Sequence, residues 1–307
     1  MKKILIATDK PFSKVAVQAI QGVIKDADYE CVLLEKYTSQ AEFHKAAADV
    51  DAIIVRSDIV DKEVMKSAKN LKIVVRAGAG YDNVDLATAT EKGVVVMNTP
   101  GQNSNAVAEL VFGMLVYMNR GSFDGATGSE LRNKTIGIHA YGYVGRIVAQ
   151  IAKGFGMKVN AHDPFVDRNL IANEGVNFEA TAEDLFNKSQ YISLHIPLNK
   201  ATREAINYDL MKNMPEGATI VNTARKEVIH EPSLLKMFEQ RADFRYFTDI
   251  EPDCKDQLAK YKGRYFATPK KMGAQTAEAN LNAGVAAAKQ IINFLEKGDT
   301  TFQVNKK

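Results

Sequence analysis

Two stretches of this chain hold residue types that could do chemistry. In Val221-Asn222-Thr223-Ala224-Arg225 an arginine closes a short run that follows an apolar segment. A guanidinium offers two coplanar donors, so Arg225 could grip a carboxylate oxygen and polarise a neighbouring carbonyl. In the second stretch, a strand expected over Thr135–His139 turns through Ala140-Tyr141-Gly142-Tyr143-Val144 into a helix expected over 144–155, with Gly145 in its first turn. Gly142 would let backbone approach a pyrophosphate. Gly145 would let the helix lie close to the strand, and the free N–H groups at the helix start favour phosphate. The next expected strand, Lys158–His162, ends on Asp163. An acid about 20 residues after the turn accepts from ribose hydroxyls. A carboxylate there repels a 2′-phosphate, which favours NAD over NADP, although Arg168 stands nearby. One departure is Ala140, which occupies the first glycine position of G-x-G-x-x-G and tolerates positive φ less readily than glycine.

The elements that must position these residues follow from hydrophobic pattern. Continuous β-branched runs at 4–7, 52–55, 72–75 and 94–96 read as buried parallel strands, with amphipathic helical stretches at 14–24 and 62–68 between them. After Asn98-Thr99-Pro100-Gly101 a helix is expected over 105–119, capped by Asn103 or Ser104. A second alternation places strands at 135–139, 158–162, 191–194, 219–221, 246–248 and 265–267, and a last helix runs over 276–297 to Gly298. This predicts an α/β fold.

Composition excludes several classes. The 307 residues are 46% hydrophobic and 25% charged, ordinary for a globular chain and long enough for two domains. A net charge of +3 with no basic stripe argues against nucleic acid. No apolar run reaches the ~20 residues of a membrane span, and the run after Lys2-Lys3 is too short for a secretory signal. Two isolated cysteines, Cys31 and Cys254, suit a reducing cytoplasm. The histidines have no metal-ligand spacing, so no metal is expected, and Gly-x-Ser-x-Gly is absent.

In order along the chain, Arg76-Ala77-Gly78-Ala79-Gly80-Tyr81-Asp82-Asn83-Val84-Asp85, Asn98 to Asn103, Ala106 to Leu110, the Ala140 to Gly145 turn, Leu194-His195-Ile196-Pro197, Val221 to Arg225 and Thr268-Pro269 resemble the D-2-hydroxyacid dehydrogenases. The resemblance spans nearly all the chain. It implies two Rossmann/flavodoxin-like parallel-sheet domains with an interdomain cleft: residues 1–99 plus 275–307 binding substrate, and 100–274 binding NAD. It implies that Gly78, Ala79 and Gly80 hold a substrate carboxylate through backbone N–H groups, with Asn103 close by, and that Arg225 anchors carboxylate and ketone. His195, Pro197 and Thr223 would line the cofactor, with Asp249 beside the nicotinamide carboxamide. A homodimer through the 105–119 helix region is implied as well. Within the family the likeness is strongest to D-3-phosphoglycerate dehydrogenases, because Arg56, Ser57 and Arg76 offer donors for a phosphate. The chain resembles a short form, ending soon after the last helix.

The family's Thr-Pro-His acid/base is missing. Thr268-Pro269 is followed by Lys270-Lys271-Met272-Gly273-Ala274. Counting from Pro269 puts Lys270 at the histidine position, and counting back from Gly273 puts Lys271 there. A cationic lysine could donate a proton to a ketone oxygen and stabilise its developing charge. Like-charge repulsion from Arg225 and burial would lower its pKa. Glu251-Pro252 resembles the partner glutamate, although it lies closer to Asp249 than the family spacing has it. Three functions fit: oxidation of 3-phospho-D-glycerate in serine biosynthesis, turnover of another 2-hydroxy acid such as glyoxylate, hydroxypyruvate or D-lactate, and a non-catalytic NAD-sensing interaction protein.

Overall fold

The apolar runs form the strands of two separate parallel sheets in the computed structural model, which describes residues 1–306. Backbone contacts divide the chain into one unit of Met1–Asn103 with the segment from Gln275 on, and a second unit of Ser104–Ala274.

The first unit holds β1 (Lys3–Thr8), β2 (Glu30–Glu35), β3 (Ala52–Val55), β4 (Ile73–Arg76) and β5 (Val95–Asn98), in the order β2-β1-β3-β4-β5. Strand alternation gives the sheet two apolar faces. Leu5 and Ala7 join one buried cluster, and Ile4 and Ile6 join the other. Helices cover both, so β3 is buried at every residue. The sequence pattern places no strand at β2. It is an edge strand, partly exposed along its length and bounded by glutamates, so it lacks the continuous apolar signal of its neighbours.

Ser13 Oγ caps the Lys14–Asp26 helix by accepting from Ala16 N–H at 3.2 Å, and Ala16, Ile20 and Ile24 turn inward at helical spacing. Against it lies the C-terminal helix, Ala277–Lys297. Thr276 caps its start, and Gly298 closes it with φ 68°. The two helices touch through small residues: a Cβ on Gly284 would stand 2.5 Å from Ile20 Cδ1.

The second unit contains β6 (Thr135–His139), β7 (Lys158–His162), β8 (Asn177–Phe178), β9 (Tyr191–Leu194), β10 (Thr219–Asn222), β11 (Arg245–Thr248) and β12 (Tyr265–Ala267), ordered β12-β11-β10-β9-β6-β7-β8. The chain runs outward from β6 to β8, then returns to the other side of β6 for β9. That reversal is the topological switch point at which open α/β sheets bind ligands, outside the carboxyl ends of the strands. The two-residue β8 is too short to leave a sequence signature. Ser104–Asn119 is helical from Ser104, so Ser104 is inside the helix and not its cap. Among the described residues no helix is long and apolar enough to cross a membrane.

Gly284→Val should lower stability by ~1–3 kcal/mol through overpacking against Ile20 and Phe12. An unchanged midpoint in chemical denaturation would show that the two helices separate without cost.

Candidate functional site

At the end of β6 the backbone turns sharply. Ala140 takes φ 80°, a left-handed conformation that disfavours a side chain, and its N–H donates to His162 O at 2.9 Å. The helix Tyr143–Gly154 then approaches so closely that a Cβ on Gly145 would stand 2.3 Å from Ala140 O. Position 142 is the opposite case, with nothing within 4 Å of where its Cβ would be. Gly142 caps the helix without a side-chain hydrogen bond, so the first-turn N–H groups of Tyr143, Val144 and Gly145 remain available. Tyr141 supplies backbone to the turn, while its ring is buried and its hydroxyl donates to Glu174 Oε2 at 2.8 Å.

Asp163 is only 7% exposed. Its Oδ2 accepts from Tyr141 N–H at 2.8 Å and its Oδ1 from Phe165 N–H at 2.9 Å. The carboxylate thus fixes the glycine turn directly, and it retains lone-pair capacity for hydroxyl donors. At the switch point lies a crevice of about 350 Å³, lined by His139 from the end of β6 and by Ile196, Thr202 and Leu210 beyond β9. Thr223 Oγ1, just beyond β10, is buried with no hydrogen-bond partner among the described residues. An open cradle at Gly142, free helix N–H groups, a carboxylate and an orphaned hydroxyl match the demands of a dinucleotide. His195 Nε2 lies 2.8 Å from Ser193 Oγ, and Pro197 is exposed. Burial, then the charge of His139, lowers the His195 pKa to about 3. Burial, then His162, lowers that of His139 to about 4. Both rings are therefore neutral near pH 7 and cannot replace the missing acid.

Arg225 follows β10 on a turn braced by Asn222. Asn222 Oδ1 accepts from Ala224 N–H at 2.9 Å, and its Nδ2 donates to Arg225 O at 3.0 Å and to the buried Tyr246 hydroxyl at 3.1 Å. Sequence reasoning singled out the arginine and missed this brace. Its one sequence signal is an amide side chain in the residue that ends the strand. Lys270 and Lys271 are both exposed, so the burial expected around them is not provided. Glu251 is exposed as well. It forms an ion pair with Lys255 at 2.6 Å. Asp249 is 1% exposed, and both its oxygens face that loop: Oδ1 accepts from Thr268 Oγ1 at 2.9 Å and Met272 N–H at 2.8 Å, and Oδ2 accepts from Gly273 N–H at 2.8 Å.

In the first unit, Gly78 has φ 147°, and a Cβ there would fall 1.7 Å from Arg76 Nη1. Its N–H donates to Arg76 O at 2.9 Å, so it does not offer the donor expected of it. The N–H groups of Ala79 and Gly80 have no acceptor among the described residues, and Asn98 Nδ2 fixes the loop through Ala79 O. Arg76 Nε donates to Arg56 O at 2.9 Å. Arg56 is built into the packing. Its Nη1 donates to Lys10 O and Pro11 O, its Nη2 to Asn280 Oδ1, and its guanidinium lies 5.1 Å from the Phe12 ring centre. Nε and one Nη2 donor remain for a ligand. Ser57 is exposed, and Asn103 is half-buried. Among the described residues no three His, Cys, Asp or Glu side chains group as metal ligands.

The lowered histidine values carry a stability consequence. The unfolded chain protonates His195 near its ordinary 6.5, whereas the folded chain resists until about 3. The unfolded state therefore binds more protons in that window, and stability falls as pH drops through it. Urea midpoints at pH 7.5 and 5 should differ less in His195→Gln than in the wild type. An equal drop in both would place the lost stability elsewhere.

A family model for the D-isomer specific 2-hydroxyacid dehydrogenase catalytic domain matches residues 6–305. A hydroxypyruvate reductase of Thermotoga maritima is 32% identical, with 96% of this chain and 99% of that protein covered. A D-3-phosphoglycerate dehydrogenase of Methanocaldococcus jannaschii is 33% identical over 84% of this chain. The chain spans about half the length of that relative, 52%. Among solved structures, NAD⁺-bound 3-phosphoglycerate dehydrogenase of Entamoeba histolytica is 46% identical with a TM-score of 0.90, covering 99% of both chains.

Proposed function

This chain belongs to the D-isomer specific 2-hydroxyacid dehydrogenase family and is an NAD-dependent dehydrogenase, and we propose that it interconverts 3-phospho-D-glycerate and 3-phosphohydroxypyruvate. The observation that carries this reading is the likeness to the Entamoeba histolytica phosphoglycerate dehydrogenase over 99% of both chains. A reductase for unphosphorylated hydroxypyruvate is the second reading, favoured by the Thermotoga maritima relative, which is covered over 99% of its length.

When bound, NAD supplies the site that takes or gives a hydride at substrate C2. The helix start at Tyr143 to Gly145 would hold the pyrophosphate, Asp163 the ribose hydroxyls, and the crevice at His139 and Ile196 the adenine. Ala79 and Gly80 N–H groups hold the substrate carboxylate, with Arg225 gripping carboxylate and C2 oxygen. Arg76, with the remaining donors of Arg56, attracts the phosphate. The proton at the C2 oxygen belongs to Lys270 or Lys271, with Lys271 preferred because it is in register with Gly273. In oxidation the neutral amine takes the hydroxyl proton as the hydride leaves. In reduction the ammonium returns it to the ketone oxygen.

Steady-state reduction with NADH should give a higher kcat/KM for phosphohydroxypyruvate than for hydroxypyruvate. A preference for the unphosphorylated acid would favour the second reading. With Lys270→Ala and Lys271→Ala, one variant should lose most of kcat together with the alkaline rise of the oxidation profile, because only the neutral amine accepts a proton. If both variants keep the wild-type profile, neither lysine carries the proton.

A further inference from the structure

The family resemblance puts Asp249 beside the nicotinamide carboxamide, but the carboxylate is already engaged by its own chain. Three donors converge on it, from Thr268 Oγ1, Met272 N–H and Gly273 N–H, all within 2.9 Å. They lie on either side of Lys270 and Lys271. We infer that Asp249 is the positioning residue of the lysine loop, fixing where the lysine amine stands relative to the reacting oxygen. This role rests on the reading of a loop lysine as the proton carrier.

The residue type is required by burial. Asp249 is 1% exposed, and no ion pair to it is found among the described residues. An ionised carboxylate buried without a cation is costly unless hydrogen bonds replace its hydration. Here the loop's N–H groups provide them, so loop and carboxylate stabilise each other. The contact is also close: a Cβ on Gly273 would stand 2.9 Å from Asp249 Oδ2, which leaves that position to glycine. Thr268 extends the clamp, since its hydroxyl lies 2.9 Å from both Asp249 Oδ1 and the Lys270 carbonyl oxygen. Both lysines are exposed, and this hydrogen-bonded frame orients the backbone that carries them.

Asp249→Asn isolates the effect. An amide has one acceptor oxygen, and its NH₂ would face a backbone N–H, so at least one loop bond is lost. Full-length wild type and variant should be compared by amide exchange at Met272 and Gly273, by NADH binding, and by steady-state kinetics. The expected result is faster exchange at both amides and a kcat lower by about 10- to 100-fold, since misplacing a reacting group costs that much, with NADH affinity little changed. Thr268→Val should move the same quantities in the same direction by less, and it serves if Asp249→Asn does not fold. Unchanged exchange with weakened NADH binding would overturn the inference and return Asp249 to the cofactor. Faster exchange with unchanged kcat would also overturn it, by showing that the clamp is real but the loop carries no proton.

Discussion

The close approach of the Tyr143–Gly154 helix to the end of β6 is the constraint on which the second unit depends. No side chain fits at position 145, because the Ala140 carbonyl oxygen occupies its place. Glycine there lets the helix start lie directly against the turn. The turn itself is held by Asp163, whose oxygens bind the N–H groups of Tyr141 and Phe165. One acid therefore shapes the turn, and in the proposed reading it also meets the ribose hydroxyls. The departure from a first glycine is tolerated because Ala140 adopts the left-handed conformation anyway, with its N–H tied to His162 O. The strain of that conformation, of the order of 1–2 kcal/mol, is offset by the bonds around it.

The same economy recurs at the other loops. Asn222 holds the Arg225 turn through Ala224 N–H and Arg225 O, and reaches the Tyr246 hydroxyl of β11 with its third contact. Asp249 holds the lysine loop. In each case a short polar side chain at a strand end satisfies backbone groups that would otherwise be orphaned. Arg56 is a cation used largely inside its own unit, where it ties β3 to the start of the C-terminal helix through Asn280.

Much of this was legible in the sequence, for physical reasons. The central strands are buried on both faces, so Ile4 to Ala7 and Ala52 to Val55 read as unbroken apolar runs. Gly142, Gly145 and Asp163 are recognisable because their spacing follows from the length of one strand–helix–strand unit. What escaped is equally explicable. The edge strand Glu30–Glu35 faces solvent along part of its length, so its pattern is mixed. The roles of Asn222, Asp249 and Gly78 depend on which backbone N–H points where, and no residue pattern encodes that. Glu251 was placed with the acid/base by its proline neighbour, and only the fold shows that its carboxylate pairs with Lys255, at the start of the short helix that follows. The two neutral histidines needed the packing around them before their charge state could be stated.

The central claim is that a primary amine on the 268–273 loop carries the proton that this family normally assigns to an imidazole. The most direct measurement is rescue of Lys271→Ala, and of Lys270→Ala beside it, by added ethylamine during phosphohydroxypyruvate reduction. The account predicts that one variant regains turnover in proportion to the ethylammonium present, while wild type is unaffected. If ethylamine restores neither variant, and both already turn over at the wild-type rate, the proton does not pass through a lysine.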